Sequence, residues 1–455
     1  MNIIRKIFSP GCLAVSLLLL FYTFYKSEVY WNGTKSNYYF IYYIVLTLLL
    51  IFSIITFYLN NKIKDYLIVS IISVITSLYI MEGYLLFLEK KVKEQSQNVF
   101  LKKKQLYEKE TGNKYDERTK YEIYEDLKKT DKKIQLSIYP VTFINELHKL
   151  YPFSGISNSK TIHCNENGYY SIYESDRYGF NNPDKEWDQN EIEYFLVGNS
   201  FAHGACLNRP HDIASVLRIL SKKTVLNLGF SSSGPLITYG TLREYLNSNA
   251  KKVLWIYNNN NDLQLLEGEL TLNIQLKNYI NDLTFTQNLK LSQKEIDNMG
   301  ITKIGNHLNW KKKNEKPIVY FVKLNKVRSI FNRYLPKTNQ PFPRVKSKPK
   351  TLEEFKKIIK MTRDLTSQKN SQLYFIYLPD YIRYTKEYND SNYLANYLAV
   401  KKIVEELDIP FIDIHSEVFE KEQNPLKLYP FKQFGHYNIE GYKKVSEAIY
   451  KLTKN

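Results

Sequence analysis

Ser200 follows the apolar run Glu193-Tyr-Phe-Leu-Val197 and the pair Gly198-Asn199. The run is short, aromatic and β-branched, and it stops at a glycine, so it reads as a buried parallel strand. A serine there lies at the carboxyl end of a strand, just ahead of a helix. In open α/β sheets that edge is where ligands bind. Downstream come Val225-Leu-Asn-Leu-Gly229, then Val253-Leu-Trp-Ile-Tyr257 running into Asn261-Asp262, and finally His436-Tyr437-Asn438 with Gly441. A serine hydroxyl is a weak nucleophile until a base takes its proton. A late histidine can be that base and can return the proton to a leaving alcohol. Donor-rich turns can hold the oxyanion that forms in between. The set suits acyl transfer, with Ser200 as candidate nucleophile and His436 as candidate base. Asn261 is the candidate oxyanion donor through its side-chain amide, on a turn that Asp262 holds by local hydrogen bonds. Asn438 reads as the N-cap of the last helix. Taken singly, each residue also has a plainer reading: a helix-start serine, a loop histidine, a polar asparagine turn.

Four blocks carry the pattern: GNSF (198–201), NLGFSSSGP (227–235), NNND (259–262) and QFGH (433–436). In this order, each after its own strand or before the last helix, they resemble the SGNH (GDSL-type) esterase and acyltransferase superfamily. The resemblance covers about residues 190–455, just over half the chain. It implies a flavodoxin-like α/β/α parallel-sheet domain and an acyl-enzyme formed on Ser200. It also implies an oxyanion hole built from the Ser200 amide, a second-block amide and Asn261, with no metal or cofactor. The chain departs from the pattern at several positions. Asn199 stands for the Asp of GDS and keeps an acceptor. Ser232 takes the glycine position of the second block, with Gly234 two residues on as an alternative. Asn260 replaces the glycine of GxND. Gln433 replaces the Asp three residues before the histidine. A glutamine oxygen accepts the imidazole N–H but cannot stabilise imidazolium as a carboxylate does. Asp413, after the fifth strand, is the substitute the sequence offers. His203, three residues after Ser200, reads as a cleft-lining residue or as a competing base.

The elements that must position these residues alternate from residue 192 onward. Candidate strands are 193–197, 224–228, 252–257, 372–378 and 409–414. Candidate helices are 212–220, 236–247, 351–368, 391–407 and 438–453. Strands alternating with amphipathic helices imply a parallel sheet covered on both faces. Residues 265–350 form a long insertion whose Lys/Pro-rich end, Pro341–Lys350, is expected to be a loop. Three apolar stretches dominate the start: Ile7–Tyr25, Tyr38–Leu59 and Tyr66–Leu88, each long enough to span a bilayer. Glu82 interrupts the third, and its side chain is expected to reach the interface rather than act as an intramembrane acid. The chain therefore divides into a three-helix transmembrane anchor (1–89), a helical stalk and N-terminal extension (90–190), and the α/β domain (191–455).

Net charge is +18, from 64 Lys and Arg against 46 Asp and Glu. The lysines are scattered, with no RNA-binding or helix-turn-helix signature, which excludes nucleic acid as the expected partner. Attraction to an anionic membrane surface or envelope polymer fits better. Arg5 and Lys6 precede the first span, and Lys62 and Lys64 fill the loop before the third. The positive-inside rule then puts the C-terminal domain outside the cytoplasm of a bacterial cell. Of three cysteines, Cys12 lies in a span. Cys164 and Cys206 flank the serine block and suit either a disulfide in an oxidising compartment or two buried thiols.

The expected function is a membrane-anchored serine esterase or O-acyltransferase. Its substrates would be O-acyl groups, acetyl foremost, on an envelope glycan or lipid-linked sugar. The rival is a catalytically inactive carbohydrate-binding or scaffold protein, favoured by Gln433, Ser232 and Asn260.

Overall fold

The computed structural model describes all residues except 1, 34–35, 145–148, 259–261, 315–316, 335–347, 386–390 and 455. The chain divides into two units. The first comprises residues 1–93 and 316–335. Its N-terminal part holds α1 (Asn2–Phe24), α2 (Ser36–Ile55) and the start of α3 (Asn61–Thr111). Three helical segments, Asn2–Tyr30, Tyr38–Tyr58 and Asn61–Lys91, are long and apolar enough to cross a membrane. Most of their large apolar side chains point outward, as lipid contact requires. Glu82 does not reach for an interface. It is fully buried and bonded to backbone amides of a later segment of the same unit.

The second unit comprises residues 94–315 and 336–455. After α3 comes α4 (Lys120–Lys128), started by a capping box in which Thr119 and Glu122 bond each other's backbone N–H. A small sheet follows: β1 (Ile134–Leu136), β2 (Lys160–Ile162) and β3 (Ile172–Glu174), with β1 and β2 parallel and β2 and β3 antiparallel. The main sheet has five strands: β4 (Ile192–Gly198), β5 (Val225–Asn227), β6 (Ala250–Asn258), β7 (Gln372–Leu378) and β8 (Phe411–Asp413). All pair in parallel, in the order β5-β4-β6-β7-β8. Counted within this sheet the order is 2-1-3-4-5, so the winding reverses between β4 and β6. The short α5 (Ser200–His203) starts directly after β4.

Both faces of the sheet are buried, which is why its strands read as continuous apolar runs. Phe195, Val197, Val253, Trp255, Phe375 and Tyr377 enter one core, with α7 (Pro235–Tyr245), α13 (Pro349–Gln368) and α14 (Ser391–Glu406) supplying residues such as Leu242, Phe355 and Val400. The alternate residues Tyr194, Leu196, Leu254, Ile256 and Ile376 enter the other core, against α6 (Ile213–Ser221) and α16 (Ile439–Thr453). Gly198 closes β4 at φ +143°, and a Cβ there would lie 2.3 Å from the Ile256 carbonyl oxygen. Only glycine lets the strand turn out beside β6.

The described part of the 265–350 insertion is largely helical. α8 (Asp262–Leu272), α9 (Ile274–Asn281) and α10 (Gln293–Asn314) bury Leu266, Leu276, Tyr279 and Ile296 in the first core. Of Pro341–Lys350, residues up to 347 lie outside the described residues, and Pro349 already begins α13.

The extension before β4 covers the free edge of β5. Asn182 accepts from the Asn227 N–H at 2.8 Å and donates to the Asn227 carbonyl at 2.9 Å. Glu186 accepts from the Val225 N–H at 3.2 Å. Side chains thus take the place of a neighbouring strand at an edge that would otherwise be open. Asp176 holds this segment in shape. It accepts from the amides of Tyr178 and Phe180, from Asn182 Nδ2 and from Trp187 Nε1, all at 2.7–2.9 Å. Burial pushes its carboxyl up to about 6 in spite of these donors. Asp176→Ala leaves four donors without their acceptor and is expected to cost about 3 kcal/mol or more, read as a lower melting midpoint of the purified protein. An unchanged midpoint would mean that the extension docks by other contacts.

Candidate active site

Ser200 and His436 come from opposite ends of the domain and meet. Ser200 stands at the N-terminus of α5, beyond the carboxyl end of β4 and beside the winding reversal. Asn199 caps α5, its Oδ1 accepting from the Phe201 amide at 2.9 Å. His436 precedes α16, whose N-cap is Asn438, with Oδ1 accepting from the Gly441 amide at 2.9 Å. The Asn438 amide also donates to the Lys427 carbonyl at 2.7 Å, which fixes the loop carrying the histidine. His436 Nε2 lies 2.8 Å from Ser200 Oγ. Phe201 packs against the imidazole with ring centroids 4.8 Å apart.

The group on the other side of the ring is Glu166. Its carboxylate oxygens lie 3.1 and 3.2 Å from His436 Nδ1, and one of them accepts the His436 backbone N–H at 2.7 Å. With Nδ1–H donated to Glu166, Nε2 is left as the acceptor for the Ser200 hydroxyl. Burial alone raises the Glu166 carboxyl. The imidazole, the two hydrogen bonds and the charge of Lys103 more than reverse this, and its pKa lies below the ordinary glutamate value. Lys103, near the end of α3, also donates to the Phe434 carbonyl at 2.8 Å. Gly435 makes room: a Cβ there would sit 2.8 Å from Glu166 Oε2.

Neither carboxylate substitute named from the sequence reaches the ring. The Gln433 side-chain amide turns back to the carbonyls of Phe431 and Lys432, at 3.5 and 3.2 Å. Asp413 caps the short helix α15 (Ile414–Glu417) by accepting from the His415 amide, and it accepts the Tyr397 hydroxyl at 2.7 Å. His203 neither lines a cleft nor competes as a base. It is fully buried, stacked on His163 with centroids 4.5 Å apart, and burial holds its pKa down at about 3. Its Nδ1 accepts the Ser231 amide at 3.3 Å, and His163 Nε2 lies 3.1 Å from Ser231 Oγ. The stacked pair therefore fixes the second-block turn.

Within that turn Ser232 adopts φ +64°, the left-handed conformation that favours glycine. Ser232, not Gly234, thus has the conformation that glycine favours. The Gly234 amide is spent on Glu269, at 2.7 Å, with the Leu236 amide at 2.9 Å on the other oxygen. Glu269 is buried, and burial pushes its carboxyl up to about 8. Asn261 and Asn260 lie outside the described residues. Asp262 accepts the Asn258 amide at 3.0 Å. Its other oxygen accepts from Asn199 Nδ2 at 2.7 Å. Asn199 therefore works at both ends of its amide: the oxygen caps α5 and the nitrogen ties β4 to α8. Burial raises Asp262 to about 7, opposed by those two donors. An Asp at 199 would set two carboxylates against each other, whereas Asn supplies the donor that Asp262 needs.

Glu166 sits on the β2–β3 loop of the small sheet, and a covalent bond ties that loop to the serine loop. Cys164 and Cys206 form a disulfide with Cα atoms 4.8 Å apart. Asn167 Nδ2 adds a hydrogen bond to the Cys206 carbonyl at 3.1 Å. Among the described residues, Glu166, Cys206 and His436 are close enough together to suggest a metal site. The Cys206 sulfur is bonded to Cys164 and offers no thiolate, and the other two groups bond each other.

No protein-family model and no curated protein matches the chain. Among solved structures it is similar to a G-D-S-L family protein from Desulfitobacterium hafniense DCB-2, at 14% identity over 58% of this chain and 99% of that one, with a TM-score of 0.32. It is similar to an acetylxylan esterase from Geobacillus stearothermophilus, at 12% identity over 59% and 97%, with a TM-score of 0.30. It is also similar to the acetyl xylan esterase AlAXEase, at 11% identity over 57% and 99%, with a TM-score of 0.31. The domain's own strand order is that of the flavodoxin-like α/β sheet expected from the sequence, with Ser200 just past the first strand and His436 just before the last helix.

The disulfide closes a loop across 42 residues, and a crosslink of that span restricts the unfolded chain by roughly 4 kcal/mol in chain-entropy terms. Its local consequence is the placement of Glu166. Reduction, or Cys206→Ser, is expected to lower both the melting midpoint and the rate at which a fluorophosphonate labels Ser200. A labelling rate indifferent to reduction would show that the loop is held without the bond.

Proposed function

We propose that the protein is a membrane-anchored serine esterase or O-acyltransferase working through a Ser200–His436–Glu166 triad. The observation that carries this reading is the unbroken line of contacts from carboxylate to imidazole to serine hydroxyl, at 3.1 and 2.8 Å. As His436 Nε2 takes the hydroxyl proton, Ser200 Oγ attacks the ester carbonyl. Glu166 stabilises the imidazolium that forms and holds the ring in the correct tautomer. The tetrahedral oxyanion is held by the Ser200 and Ser232 amides and by the Asn261 side chain. Collapse expels the alcohol, which takes the proton from His436 and leaves an acyl-enzyme. Water or an acceptor hydroxyl then repeats the sequence in reverse and frees the serine.

The substrate class follows from the resemblance and from the apolar helices: O-acyl groups, acetyl foremost, on an envelope glycan or a lipid-linked sugar. The positive charges flanking the spans support a bacterial inner-membrane location with the catalytic domain outside the cytoplasm. The disulfide is consistent with that side. The non-catalytic reading drew its main support from Gln433, and Glu166 removes that support by supplying a carboxylate at the position where one is needed.

Ser200→Ala is expected to abolish p-nitrophenyl acetate hydrolysis and fluorophosphonate labelling. Glu166→Gln should lower kcat by about 10³–10⁴, because an amide no longer enforces the tautomer or stabilises imidazolium. Asn261→Ala should cost about 10²–10³. Full activity in a folded Glu166→Gln protein would sink the triad.

A further inference from the structure

Residues 316–335 leave the chain of the sheet domain and group with the apolar N-terminal helices. They hold α11 (Pro317–Val322) and α12 (Asn325–Tyr334). The first is apolar throughout: Pro-Ile-Val-Tyr-Phe-Val. The second places Val327, Ile330, Phe331 and Tyr334 at helical intervals, with Lys326, Arg328 and Arg333 between them. That spacing is the pattern of an amphipathic interfacial helix.

Three residues of α3 within the span Asn61–Lys91 fasten the pair. The Tyr79 hydroxyl donates to the Val322 carbonyl at 3.1 Å, and its ring lies 5.5 Å from that of Phe321. Glu82 accepts the Lys326 amide at 3.0 Å on one oxygen and the Val327 amide at 2.8 Å on the other. Lys326 Nζ reaches Glu89 at 2.9 Å. Two costs cancel at Glu82. A carboxylate on an apolar span is expensive without partners. The first amides of a helix have no intrahelical acceptor, and in an apolar setting each must find one. The carboxylate also faces the positive end of the helix dipole.

Part of the apolar surface of α11 is open. Ile318 is 77% exposed and Val322 60%, and Ile72 and Ile80 of the span itself are exposed too. Lys323 and Arg328 are exposed as well. Exposed apolar residues on a segment fastened to an apolar span, with exposed cations in the same segment, fit acyl chains below anionic headgroups.

We propose that α11 and α12 are a second membrane-seated element, contacting lipid through Ile318 and Val322 and held to the third span by Glu82. The proposal rests on the reading that the N-terminal helices cross a bilayer. It gives the domain a membrane attachment inside its own sequence, between β6 and β7, in addition to the one at its start.

The test uses the full chain in bilayer discs, in a Cys12→Ser background so that the introduced thiol is the free one. Bimane is attached at Ile318→Cys, Val322→Cys, Ile72→Cys in the span, or Leu291→Cys on the sheet domain. The discs contain lipid brominated in its acyl chains. The labels at 318, 322 and 72 are expected to lose most of their emission, and the label at 291 to keep it. Adding Glu82→Ala should restore emission at 322 and leave 72 quenched. Quenching at 72 without quenching at 318 and 322 overturns the proposal while the anchor stands. That outcome includes a pair covered by protein instead of lipid. Quenching at none of the three overturns the anchor as well. Quenching at 322 that survives Glu82→Ala overturns the role given to Glu82.

Discussion

One carboxylate holds the site together. Glu166 takes both the ring N–H and the backbone N–H of His436, so it fixes the orientation of the imidazole and the path of the loop that carries it. The proposed chemistry depends on that grip. A serine hydroxyl becomes nucleophilic only if the ring facing it is in the right tautomer and can bear a positive charge. The surroundings serve this one bond. The disulfide and Asn167 tie the Glu166 loop to the serine loop, and Lys103 adds a cation. Asp176 and Asn182 dock the extension that delivers the carboxylate onto β5.

The domain spreads its site over far more chain than the block pattern suggests. Ser200 and His436 belong to the parallel sheet and its last helix, but the acid comes from a small separate sheet that precedes them. The two halves of the site are joined by a covalent bond and side-chain hydrogen bonds rather than by strand pairing. Asn199 shows the same economy on a smaller scale, because its amide caps one helix and neutralises the need of a buried Asp262 for a donor. The departures from the GDS and DxxH patterns are thus matched to particular neighbours in this chain.

Much of the fold was legible in the sequence. Buried parallel strands read as unbroken apolar runs, so 193–197, 252–257 and 372–378 fall inside β4, β6 and β7. The capped helices before and after them carry strong end signals, such as Asn438 ahead of α16. Glu166 was not legible as part of the site, because Asn165–Gly168 has turn composition and its position depends wholly on tertiary packing. A signal was nevertheless present. A Cys164–Cys206 bond, one of the two states the sequence allows, puts residue 166 beside the loop after Ser200. His203 was misjudged for a related reason: spacing along the chain placed it near Ser200, while α5 turns its ring into the core against His163.

The most direct test of this account is a rescue experiment on the rate of Ser200 acylation. In the family pattern the acid stands three residues before the histidine, at Gln433. Here the Gln433 side chain points away from the ring, toward the carbonyls of its own loop. In a Glu166→Gln protein, adding Gln433→Asp should leave acylation as slow as before, because a carboxylate at 433 does not face Nδ1. Recovery of the rate by Gln433→Asp would contradict the assignment and return the acid to the position that the family pattern gives it.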